Sequence, residues 1–148
     1  MRYGNERLII DGKTIANFRS QIANCLRMTP ADLKARSKEF ALRILKLTAA
    51  LPKTIEGRAI ANQLVRSGTS VAANYRAGCR ARSRSEFVAK LGVALEEADE
   101  TQLWLELVIG GKLVPVKRVQ PLLDEANELV AILVASRKSA ANNSKSEI

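Results

Sequence analysis

Apolar side chains recur at alternating intervals of four and three along most of this chain, which restricts it to helices that each bury one face. The clearest run is Leu33, Ser37, Phe40, Ile44, Leu47 and Leu51. It follows Thr29-Pro30-Ala31-Asp32, where a hydroxyl can cap, proline takes the first helical position and an acid falls in the first turn. Leu51-Pro52 ends it, because the residue before a proline is steered out of the helical region.

Three further segments carry the same signals. A second helix starts near Thr54 to Gly57 and runs to about Cys79, with Ile60, Ala61, Leu64, Gly68, Val71, Tyr75 and Cys79 on its core side. Its small residues, Ser67, Gly68, Ser70, Ala72 and Ala73, let a neighbour approach closely. Ser83-Arg84-Ser85-Glu86 has a capping-box pattern, Ser83 serving the third helical position and Glu86 reaching back to the cap. Leu91, Leu95, Ala98, Gln102, Leu105 and Ile109 then form a seam, with Gln102 as a register-fixing polar residue, and Gly110-Gly111 stops the helix. The fourth helix begins between Val116 and Pro121 and buries Val119, Leu122, Leu123, Ala126, Leu129, Val130, Leu133 and Val134, while Arg137 and Lys138 suit its C-terminal end.

The fold expected is all-α, an antiparallel up-and-down four-helix bundle over residues 29–140. Residues from Ser139 turn polar and small, and 141–148 read as a disordered tail. Residues 1–28 are an N-terminal extension with two readings. Leu8-Ile9-Ile10, Ile15, Phe18, Ile22 and Cys25 or Leu26 could make a short helix lying on the bundle, or translation could start at Met28, directly before the Thr-Pro cap.

Composition removes several function classes. The chain has no histidine, so a Ser-His or Cys-His catalytic pair and an imidazole metal ligand are excluded. No catalytic residue, metal site or cofactor is expected, and the chain does not read as an enzyme. Aromatics are 4% of the chain, too few for base-stacking platforms. Cys25 and Cys79 lie far apart without a CxxC spacing, which reads as two reduced thiols in a cytoplasmic protein. No membrane span or signal peptide is supported.

The net charge of +9 is unevenly distributed. From Gly57 to Ser85 stand Arg58, Arg66, Arg76, Arg80, Arg82 and Arg84 without a single acid. Arg58, Arg66, Arg76 and Arg80 project within an arc of about 80° opposite the core face. The first helix adds Lys34, Arg36, Lys38, Arg43 and Lys46, whereas the third reverses the sign with Glu86, Glu96, Glu97, Asp99, Glu100 and Glu106 against Lys90. A solvated helix face explains such runs without any ligand. The preference for Arg over Lys, and the exclusion of acids, favour phosphate contact. Glu96 and Glu100, one turn apart, read as a solvated or salt-bridging face rather than a metal site. Asn74 reads as an amide bonding to a neighbouring helix. Leu103, Trp104 and Leu107 project away from the seam and need cover either from neighbouring loops or from another subunit, the subunit being favoured because exposed apolar patches mark interfaces.

The stretch Gln63-Leu-Val-Arg-Ser-Gly-Thr-Ser-Val-Ala-Ala-Asn-Tyr-Arg-Ala, with Ser83-Arg-Ser-Glu-Phe and the acidic Leu95-Glu-Glu-Ala-Asp-Glu-Thr, resembles the bacterial four helix bundle protein family. Its early members were found as reading frames inside intervening sequences of large-subunit ribosomal RNA genes. That family is similar to the accessory variability protein of diversity-generating retroelements, a basic pentameric barrel that works with a reverse transcriptase and nucleic acid. The likeness covers about Met28 to Ala140 and has no counterpart for Met1 to Arg27. It implies a homopentameric ring and no catalytic residues. Arg66 and Arg76 fall inside the matching motif and Arg80, Arg82 and Arg84 just after it. Together the charge and the resemblance give an expected function: an oligomer binding or chaperoning RNA or DNA through these five arginines. The alternative is a protein-interaction scaffold in which basic and acidic faces pair between subunits or with a partner.

Overall fold

The computed structural model describes residues 28–143, and the readings made for residues 1–27 and 144–148 lie outside them. Four helices make up the described chain: α1 (Pro30–Ala50), α2 (Ile55–Cys79), α3 (Arg84–Gly110) and α4 (Val116–Asn142). Each packs on the next through a short connection, and α4 comes back to touch α1, which closes a bundle.

The helix boundaries follow local chemistry. Thr29 and Asp32 form a reciprocal cap: the Thr29 hydroxyl oxygen accepts from the Asp32 N–H at 3.1 Å, and the Asp32 carboxylate accepts from the Thr29 N–H at 2.9 Å. The Thr29 hydroxyl also donates to that carboxylate at 2.7 Å, and these bonds, the hydroxyl's first, hold Asp32 below its ordinary pKa. Leu51 leaves the helical region at ψ 146°, as Pro52 demands. Ser83 Oγ accepts from the Glu86 N–H at 3.1 Å, but the returning carboxylate overshoots the cap and accepts from the Arg82 N–H at 2.9 Å. Pro115 caps α4 without a side-chain bond, and Pro121 falls inside the helix rather than at its edge. α4 continues through Ser139 to Asn142, where a tail was expected, because Ala140 and Ala141 sustain a helix and no Gly or Pro interrupts them.

Leu33, Ser37, Phe40, Ile44, Leu47 and Leu51 are all buried, as the spacing in α1 requires. On α2 the buried line is Leu64, Ser67, Gly68, Val71, Ala72, Tyr75 and Gly78, with Ile60, Ala61 and Cys79 half-covered at its edge. The seam of α3 departs from expectation: Leu91, Ala94, Ala98, Thr101, Leu105 and Val108 are buried, while Leu95, Gln102 and Ile109 are only half-covered. α3 lies between α2 and α4, so the direction it buries is set by two neighbours, and small residues fill the closest approach. Thr101 therefore takes the place assigned to Gln102. Its hydroxyl donates to Ser67 Oγ at 2.9 Å, with the Glu97 carbonyl 2.7 Å away as the alternative acceptor, and Ser67 donates to the Gln63 carbonyl at 2.9 Å. Gln102 instead donates across to Asn127 on α4. On α4, Ile132 is buried and Val134 is 46% exposed, reversing the expectation for Val134. Asn74 bonds its own helix, donating to the Ser70 carbonyl at 2.9 Å, so it does not tie α2 to a neighbour.

The turn between α1 and α2 depends on Gly57. A Cβ there would stand 2.1 Å from the Pro52 carbonyl oxygen, a backbone atom that cannot swing aside. Gly57→Ala should therefore lower stability by about 2 kcal/mol or more, in the upper range of overpacking costs. Urea unfolding checks this, and a variant as stable as the parent would show that the turn yields freely.

Candidate nucleic-acid interface

The five arginines expected to contact phosphate divide into two groups. Arg66 is committed within its own chain. Its Nη1 lies 3.1 Å from Glu97 Oε2 on α3, and its Nη2 donates to Glu100. The bond to Glu100 is the main cause raising the Arg66 pKa, with the charge of Glu97 assisting against partial desolvation. The expected pairing of a basic second helix with an acidic third thus forms, at Arg66, inside one subunit. Arg36, counted with the basic surface of the first helix, is spent in the same way. Its Nε donates to Glu125 Oε1 at 2.6 Å and its Nη2 to Glu125 Oε2 at 2.8 Å, and Glu128 takes a further bond. This fork crosses from α1 to α4, and the Glu125 bond is the first cause of a raised Arg36 pKa.

Arg76, Arg80, Arg82 and Arg84 occupy the last turn of α2, its C-cap, the connection and the first residue of α3, and all four are exposed. Arg76, Arg80 and Arg82 take no part in the ion pairs among the described residues, which are those of Arg36 and Arg66. Folding adds a residue that the sequence reading left as a helix-end cation. Lys138 near the end of α4 shares the lining of one groove with Arg82 and Arg84. Arg137 lies next to it, its guanidinium laid over Gly92, where a Cβ would sit 3.4 Å from Cζ. Sequence distance hid this convergence; the antiparallel reversal that puts the end of α4 beside the end of α2 was the available signal.

Backbone amides contribute little to anion binding at this end. The N-termini of α1 and α3 already hold carboxylates, Asp32 and Glu86, so the favourable ends of the helix dipoles are occupied. Any phosphate would be held by flexible guanidinium and ammonium groups, which give affinity without sequence discrimination.

Leu103 and Leu107 are 50% and 44% exposed, whereas Trp104 is half-covered and packs against the core. The Trp104 indole N–H donates to Glu100 Oε1 at 3.0 Å, so Glu100 is held by Arg66 and Trp104 together. Glu96 is exposed, and no group of three His, Cys, Asp or Glu side chains among the described residues could hold a metal ion. Nor is any helix among them long and apolar enough to cross a membrane.

The Arg66 bond, and after it the Trp104 bond, hold the Glu100 carboxyl below its ordinary value of 4.5. A depressed folded pKa contributes stability that is complete above 4.5 and lost as pH falls through the lower folded value. Emission from Trp104, the single tryptophan, should follow this step with a midpoint below 4.5, and Arg66→Gln should move the midpoint upward. A midpoint indifferent to that substitution would contradict the triad.

Comparison with known proteins agrees with this architecture. A crystal structure of a protein of unknown function from the S23 ribosomal protein family of Bacteroides thetaiotaomicron VPI-5482 superposes with a TM-score of 0.67 at 34% identity. The match covers 75% of this chain and 99% of that one. No curated protein matches the chain. The family model of the 23S rRNA-intervening sequence protein matches residues 31–135, which span all of α2 and α3 and most of α1 and α4. The chain belongs to the 23S rRNA-intervening sequence protein family.

Proposed function

We propose that this protein is a non-enzymatic, oligomeric nucleic-acid-binding or chaperoning protein of the cytoplasm that grips the phosphate backbone of RNA or DNA. The observation that carries this reading is the arginine cluster of the α2–α3 turn. Arg76, Arg80 and Arg82 stand within a few residues of one another, exposed, outside the ion pairs that engage Arg36 and Arg66, and with Lys138 of α4 at the same end. Arginine in such a cluster is suited to phosphate, because its planar fork can bond two oxygens at once. Arg66 would join the patch only by giving up Glu97 and Glu100.

In this reading Leu103 and Leu107, with Trp104 beneath, are covered by another subunit, and five subunits form a ring, as the resemblance to the retroelement accessory protein implies. Five modest patches on one ring act as a multivalent site, so the oligomer rather than the single turn supplies affinity. A reverse transcriptase is the protein partner this reading would add. The scaffold reading loses support at Arg66, whose carboxylate partners come from its own chain.

Fluorescence anisotropy with labelled RNA and DNA, from low to physiological salt, tests the proposal. Binding should be salt-steep and weakly sequence-specific. Replacing Arg76, Arg80 and Arg82 with Gln should lower the logarithmic salt slope by about 2 to 3 per subunit engaged, since each neutralised phosphate contributes slightly less than one. No binding at low salt, or a slope unchanged by the triple substitution, contradicts it. Native mass spectrometry of the same preparation should count five subunits.

A further inference from the structure

Two helices keep large aliphatic side chains in water along their length. On α1 these are Leu42 and Leu45, 50% and 43% exposed, and on α3 they are Val93, Leu103 and Leu107. The exposed aliphatics of the other two helices, Ile55, Val116 and Val134, lie at helix starts or at the groove beside the end of α4. α1 and α3 each pack on α2 and α4, so they stand at opposite corners of the bundle with their outer faces pointing apart. The two faces also differ in charge. Lys38 and Lys46 flank Leu42 on the outer face of α1, whereas Glu96, Asp99 and Glu106 surround Leu103 on that of α3. All five are exposed, and none takes part in the ion pairs among the described residues. The acid Glu39, at the edge of the α1 face, has Arg43 one turn further on.

We propose that these faces meet between copies of this chain, the outer face of α1 in one copy lying on the outer face of α3 in the next. Both helices start at the same end of the bundle, since Pro30 and Arg84 line one groove there. Copies set side by side therefore bring the two helices together running parallel, and the spacings then match. With Leu42 opposite Leu103, Leu45 and Leu107 fall together on one side of that pair and Lys46 and Glu106 on the other, while Lys38 comes within a turn of Glu96. Charge selects a second copy in this orientation. Two α1 faces would set lysine on lysine and two α3 faces carboxylate on carboxylate, so a two-fold pairing is opposed and the contact is head to tail. Each copy offers α1 to one neighbour and α3 to the other, and the array closes into a ring where the rotation between copies allows it. With α1 and α3 taken up, α2 is left on one wall of the assembly and α4 on the other, which gathers Arg76 and Arg80 of successive copies on the same wall. The inference rests on the cover of Leu103 and Leu107 by another subunit proposed above, and on neither nucleic acid nor a count of five.

Sedimentation equilibrium of the full chain without nucleic acid, over a range of concentrations, tests the contact. Lys38→Glu with Lys46→Glu should weaken self-association by at least about tenfold, the factor that ~1.4 kcal/mol of lost contact gives. Glu96→Lys with Glu106→Lys should weaken it as much, from the other face. All four substitutions in one chain invert the pairing and should bring association back to within about threefold of the parent, which loss of unrelated contacts would not do. The four positions are exposed, so helix content by circular dichroism should stay that of the parent. An oligomer unaltered by the α1 substitutions, or a fourfold variant that stays dissociated, overturns the proposal and leaves nucleic-acid binding to its own salt dependence. A parent chain that is monomeric at every concentration overturns it together with the oligomeric part of the proposed function.

Discussion

The close contact between α1 and α2 at Gly68 sets the terms for the rest of the bundle. A Cβ at Gly68 would stand 2.9 Å from Ile44 Cγ1, so the absence of a side chain lets Ile44 fill the space completely. On the neighbouring side Ser67 meets Thr101 through a hydroxyl bond, and further along Gly78 leaves room for Leu91 and Phe87. α2 is thereby held by α1 and α3 at once, with small residues, Ser67, Gly68 and Gly78, set between Leu64, Val71 and Tyr75 along the buried line. Its remaining surface can then be given to arginine. Packing fixes that surface's orientation, and with it the direction in which the positive charge of the protein points.

Once that surface is oriented, the arginines serve two purposes. Arg36 and Arg66 each draw two carboxylates from a facing helix, Arg36 joining α1 to α4 and Arg66 joining α2 to α3. These are the seams that long charged side chains can cross, and the paired carboxylates lower the local repulsion that a +9 chain would otherwise carry. Beyond the reach of those acids, Arg76, Arg80 and Arg82 gather where α2 ends and the chain turns. The same residue type thus ties helices together mid-bundle and presents charge to solvent at the tip. Position relative to the glutamates of α3 and α4 decides which.

Much of this was legible in the sequence because short-range chemistry controls it. Thr29 and Asp32, Leu51 and Pro52, and Ser83 and Glu86 mark boundaries through contacts a few residues long, and the α1 stripe is a strict period on one face. α3 resisted the same reading because its apolar residues surround it. With Leu95, Leu103, Trp104, Leu105, Leu107, Val108 and Ile109 on all sides, large side chains mark no unique direction, and the buried line is drawn by Ala94, Ala98 and Thr101. The pairing of Arg66 with residues 31 and 34 positions away, and the arrival of Lys138 near Arg82, depend on helix placement and leave no local pattern. Asn74 erred in the other direction, since an amide at a core border can satisfy itself on its own helix.

The arginines of α2 and of the turn after it divide into a committed one, Arg66, and an available group, Arg76, Arg80 and Arg82. Arginine-specific footprinting with phenylglyoxal, read residue by residue by mass spectrometry with and without bound RNA, tests this division most directly. Arg66 should react slowly in both states, while Arg76, Arg80 and Arg82 should react quickly in the free protein and be shielded by RNA. Shielding of Arg66 by RNA, with Arg76, Arg80 and Arg82 left equally reactive, would contradict it.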